Sequence, residues 1–76
     1  MKDGDTLILK TVHKAYRYAK YAHLHKKSDI KSFKKISGQT VIYDAAGNCF
    51  DWFSVRRKDG SSTMIRRYEI AEIKEN

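Results

Sequence analysis

The chain has 76 residues, 41% hydrophobic and 12% aromatic, and carries a formal net charge of +7. That length makes one domain able to bury roughly 60% of its unfolded surface, and the apolar content excludes wholesale disorder. A lone cysteine, Cys49, excludes an internal disulfide, and no run approaches the ~20 apolar residues of a membrane span.

A single free thiol fits a reducing compartment, and the expected location is the cytoplasm. The opening MKDGDTLILK is acidic and polar around a short apolar run, which is too brief for the apolar core of a secretory signal. Leu7 to Leu9 predict a short strand with apolar side chains on both faces.

Thr11 is a suitable N-cap for the next element. At 100° per residue, Val12, Ala15, Tyr16, Ala19, Ala22 and His23 fall on one stripe of a helix. Lys14, Arg17, Tyr21 and His25 fall opposite, flanked by His13 and Lys20. The spacing predicts a helix from about Val12 to His25, rich in strong helix formers. Ser28-Asp29 is a helix-start signal and Gly38 a stop, with Ile30, Phe33 and Ile36 as anchors of a short second helix.

After Gly38 the pattern turns to strands. QTVIYD alternates Val41 and Tyr43 with Thr40 and Ile42, and DAAGN supplies a turn. CFDWFSVRR is dense in aromatic and β-branched residues, KDGS signals a hairpin, and STMIRRYEI is the returning strand. The tail AEIKEN extends that strand or forms a last helical turn. The expected fold is therefore α+β: an N-terminal short strand, then one long basic helix and a short second helix packed on a three-stranded antiparallel β-meander.

With Asp59-Gly60 as a two-residue turn, Val55 pairs Met64 and Phe53 pairs Arg66. One hairpin face then carries Cys49, Phe53, Val55, Met64, Tyr68 and Ile70 and covers the core. The other carries Phe50, Trp52, Ile65, Arg56 and Arg67. Arginines beside Trp52 either make cation–π contacts within the fold or hold phosphates next to stacked bases. A slip of one residue exchanges the two faces.

The candidate chemistry is sparse. His23 and His25 are two apart, which points them roughly 160° from each other on a helix, so they do not share a metal with each other or with His13. No CxxC, HxxxH or HExxH spacing occurs, and no metal or cofactor is expected. Cys49 lacks an elbow motif or a positioned histidine. It reads as a small buried hydrophobe, and no catalytic residue is assigned.

The charge distribution is more informative. Residues 1–11 hold two cations and two anions, residues 12–37 eight cations against Asp29, and residues 38–76 six of each, so the whole excess lies in residues 12–37. Such confinement points to a polyanionic partner. Lys14, Arg17, Lys20, Tyr21, His25 and Lys27 could meet a phosphate backbone from one side of a helix, extended by Lys31, Lys34 and Lys35, with Arg56 and Arg67 added from the hairpin. Lysines predominate in the block, which favours sequence-tolerant phosphate contact over bidentate reading of guanine. The alanine-rich inner stripe lacks the large apolar face of an interfacial helix, so no membrane role is expected.

The expectation is a small nucleic-acid-binding or nucleic-acid-associated regulatory protein, for DNA or RNA with low sequence specificity. The rival reading is a compact interaction module, an inhibitor or adaptor such as a mobile-element accessory protein, docking its basic face on an acidic protein surface.

Overall fold

The computed structural model describes residues 1–16 and 27–75, with side chains described for 1–16 and 30–75. The elements in chain order are β1 (Thr6–Leu9), α1 (Val12–Tyr16), α2 (Lys27–Lys34), β2 (Thr40–Tyr43), β3 (Trp52–Arg56), β4 (Ser62–Arg66) and β5 (Ile70–Lys74). Single 3₁₀ turns stand at Ala45–Gly47 and Arg67–Glu69. The strands form one antiparallel sheet of five, in the order β4-β3-β2-β1-β5.

This corrects the expected architecture of one long helix on a three-stranded meander. β1 joins the sheet, and a fifth strand pairs with it: Thr6 with Lys74, Leu7 with Ile73, Ile8 with Glu72. The apparent single strand STMIRRYEI is broken at Glu69, whose side chain is buried. One carboxylate oxygen accepts the Arg66 N–H at 2.5 Å and the other accepts the Tyr16 hydroxyl at 2.5 Å. These bonds draw the chain into a turn after Arg66 and free Ile70–Lys74 to pair elsewhere. Of the expected Val12–His25 helix, Val12–Tyr16 is helical as α1, and residues 17–25 lie outside the described residues.

The connection between β4 and β5 dictates the sheet's shape. In a flat sheet the two edge strands would stand four spacings apart, about 19 Å. Four peptide steps from Arg66 to Ile70 reach at most about 14 Å. The sheet must therefore curl until its edges approach, as in a small, partly open barrel. A register shift between Ile8 and Leu9 on β1 adds local bending where β5 closes on it.

Residues directly opposite on paired strands share a face. Leu7 faces Val41, Tyr43 faces Val55, and Phe53 faces Ile65. Leu7, Leu9, Val41, Tyr43, Val55 and Ile65 are all buried on this inner face, and Phe33 and Ile36 cover it. Val12, Ala15 and Tyr16 pack against the same cluster, so the described part of the inner helical stripe points as its spacing predicts.

The hairpin register differs by one residue from the two-residue-turn reading. Val55 pairs Thr63, Ser54 pairs Met64 and Trp52 pairs Arg66. The loop holds Lys58, Asp59 and Gly60, closed by Arg57 N–H to Ser61 O at 2.8 Å, with Gly60 at φ +87°. A turn followed by a left-handed residue is the usual three-residue hairpin solution, and glycine takes that position without strain. Asp59 accepts from the Ser61 hydroxyl and amide, which hold its carboxyl below the ordinary value. Two consequences overturn the expected faces: Ile65 is fully buried, and Met64 is exposed.

The β2–β3 connection is tightly packed at Gly47. A Cβ there would lie 2.6 Å from both Cβ and Oγ of the buried Ser54. Gly47→Ala should lower unfolding free energy by about 1–3 kcal/mol, the usual cost of overpacking, measurable by urea denaturation. An unchanged midpoint would show that this connection yields freely.

Candidate nucleic-acid interface

The charged block lies between β1 and β2. Lys10 accepts the Gly38 N–H at 3.0 Å, and Leu9 donates to Gln39 O at 2.9 Å. Residues 11–37 are thus one excursion between β1 and β2, pinned at its two ends. All of the chain's excess charge rides on this one connection, while the rest of the chain is neutral. Connections held on a rigid sheet are where binding residues concentrate.

The predicted site residues divide into three groups. Lys14 on α1, Lys31 and Lys34 on α2, and Lys35 just after it are exposed, and none enters a salt bridge among the described residues. Lys31 lies three and four positions from Lys34 and Lys35, so the three form one patch. Lys27 begins α2, but its side chain lies outside the described set, and Arg17, Lys20, Tyr21 and His25 fall wholly outside the described residues.

Arg56 and Arg67 lie outside the β1–β2 connection, on β3 and in the second 3₁₀ turn. Arg56 pairs Ile42 and Ser62, on the face away from the buried Val55, and is exposed. Arg67 is exposed in the second 3₁₀ turn, beside Met1, Ile70 and Ile73.

Beside α2 the partly open barrel leaves a cleft of about 570 Å³, within the range of ligand sites. Phe33 from α2 and Ile36 from the turn after it form one wall, and Trp52 and Met64 from the hairpin form the other. Polar groups line it too: Tyr16, Tyr68 and Glu69 from the α1 and 3₁₀ side, and Arg66 from β4. The guanidinium of Arg66 sits 4.2 Å from the Trp52 ring centre. The arginine beside the tryptophan is therefore Arg66. Counting a three-residue loop after Arg57 would have found it, because Trp52 and Arg66 then stand directly opposite.

Tyr16 ties this region together. Its ring meets Phe33 and Tyr68 edge-on at 5.8 and 6.0 Å, and its hydroxyl donates to Glu69. Burial, and then the hydrogen bond to the Glu69 carboxylate, push its pKa far above the ordinary tyrosine value. The hydroxyl therefore stays protonated at neutral pH and serves as a fixed donor.

The rim of the cleft carries an unusual turn. Cys49 and Trp52 exchange backbone hydrogen bonds of 3.1 and 2.9 Å, leaving Phe50 and Asp51 at the apex. Phe50 has φ +51° and is 99% exposed. A bulky residue at positive φ is strained, and this one gains no burial in return. Cys49 is exposed in this turn, which corrects its reading as a buried hydrophobe. Of the helices described, none is long and apolar enough to cross a membrane. Compared with protein-family models, curated proteins and solved structures, the chain matches none.

Proposed function

We propose that the protein binds nucleic acid, chiefly through phosphate contacts made by the lysines of the β1–β2 connection. The observation that carries this reading is the confinement of the +7 charge to one pinned connection whose described lysines face solvent. A patch of this kind attracts a polyanion and releases its condensed counterions on binding. Lysine ammonium groups suit this role because they contact phosphate as point charges without demanding a base sequence. The protein is read as a binding or regulatory factor and not as an enzyme. The low-lying role of the Tyr16–Glu69 pair is structural, since its proton is held in place. The exposed thiol of Cys49 suits a reducing compartment, in keeping with the cytoplasm.

Fluorescence anisotropy with labelled single-stranded and duplex oligonucleotides tests the reading. Raising salt from ~50 to ~200 mM should weaken binding about 100-fold, as expected for about four phosphate contacts. Absence of binding at the lower salt would overturn it. Recovery of one stoichiometric protein from cell extract after nuclease treatment, with no oligonucleotide affinity, would instead favour an acidic protein partner.

A further inference from the structure

We propose that the cleft between α2 and the β3–β4 hairpin takes an unpaired base of a single-stranded nucleic acid, with Lys31 and Lys35 on the flanking phosphates. This inference rests on the nucleic-acid reading above and names the form of its ligand.

Charge and chemistry meet at the cleft's mouth. Ser32 lines the α2 wall, and Lys35 stands one turn on from it. The positive patch therefore runs up to the opening. Across from it, the hairpin offers flat and polarisable surfaces: Trp52, the thioether of Met64, and the Arg66 guanidinium lying on Trp52. Every base has a π-face that such surfaces accept, whatever the sequence.

Arg66 supplies donors suited to a base edge, beside Tyr16 and Glu69, which line the cleft bonded to each other. Arg66 Nε is buried and has no hydrogen-bond partner among the described residues. A buried donor of this kind calls for an explanation. The only salt bridge of Arg66 among the described residues is to Asp51 at 3.2 Å, and the Asp51 side chain is 71% exposed. Exposed pairs of this sort hold weakly, so the guanidinium can turn toward an incoming base carbonyl or ring nitrogen.

Phe50 completes the arrangement. It sits between the lining residues Cys49 and Trp52, fully exposed and held at positive φ. A strained, solvated ring at a cleft rim fits a stacking surface for the next base along the strand. Paired bases in a duplex present only their edges, so the cleft discriminates against duplex.

Trp52 is the chain's single tryptophan and reports on the cleft directly. The test titrates the intact protein at ~50 mM salt with oligo-dT, oligo-rU and duplex DNA of about 12 nucleotides. Trp52 emission should be quenched by the single strands, which should bind about ten-fold more tightly than duplex. The dT and rU arms tell DNA from RNA as the source of the base. Phe50→Gly removes the ring and suits the positive φ, so the variant folds. It should lose about ten-fold in single-strand affinity and little in duplex affinity. Equal affinity for both forms with unquenched Trp52 would overturn the base site and leave the phosphate reading standing. No binding to any oligonucleotide would overturn both. Trp52 emission that changes with protein concentration alone, and ceases to do so in Phe50→Gly, would assign the cleft to a second copy of the chain and overturn the proposal.

Discussion

Glu69→Ala should lower unfolding free energy by about 3–5 kcal/mol, the cost of breaking a buried charge-assisted network from one side. For a domain of this size that corresponds to a fall in Tm of roughly 12–40 °C. The substitution strips the acceptor from the Tyr16 hydroxyl and from the Arg66 N–H, and leaves a hole under the turn that launches β5. Chains of this length are typically stable by only about 4–11 kcal/mol, so the variant stands near unfolding. Glu69→Gln should lose less than half as much. Its amide oxygen can accept from Arg66 N–H while its NH₂ donates to the Tyr16 oxygen. Chemical denaturation followed by circular dichroism measures both. A Glu69→Ala variant within 1 kcal/mol of the parent protein would show that the carboxylate does not hold the turn.

The same contact sets an alkaline limit. The Tyr16 pKa is raised in the folded state, so below about pH 10, the unfolded value, the proton is bound in both states and the contribution of Tyr16 to stability is constant. Above pH 10 the unfolded chain releases a proton that the folded chain keeps, and stability falls as pH rises. The slope is at most about 1.4 kcal/mol per pH unit, and smaller for a part-buried group. Tyr16→Phe should flatten it.

Charge reversal of Lys31, Lys34 and Lys35 to Glu should weaken nucleic-acid binding about 100-fold or more at ~100 mM salt. The logarithmic salt dependence should become shallower by about 2.7 on duplex and about 2.1 on single strands, the share of three lost phosphate contacts. All three side chains are exposed and outside the described salt bridges, so stability should stay within roughly 1 kcal/mol. Reversing Lys2 and Lys74, which lie outside the charged connection, is the control and should cost far less. Comparable losses in the two variants would mean that overall charge, not the α2 patch, governs binding.

The readings drawn from sequence fared differently, for physical reasons. The inner stripe of the first helix was legible at Val12, Ala15 and Tyr16, because a 3.6-residue period is a local property. The strand around Val41 was legible from alternation, and the one around Val55 from its aromatic and β-branched content. The break at Glu69 was not. RRYEI continues a strand pattern, and only a buried carboxylate reached by Tyr16, far away in the chain, bends it. The hairpin faces were misassigned by one residue, since Asp59-Gly60 fits a two-residue and a three-residue loop alike, and Ile65 and Met64 exchanged places.

By itself the sequence determined where the charge lies, which residues are apolar enough to form a core, and that Cys49 has no internal disulfide partner. These follow from composition and short-range periodicity. Only the tertiary structure decided that residues 11–37 form one pinned connection, and that a short 3₁₀ link forces the sheet to curl. It alone placed Arg66 on Trp52 beside a basic helix. Each of those depends on strand pairing and on hydrogen bonds between distant residues, whose geometry no local pattern encodes.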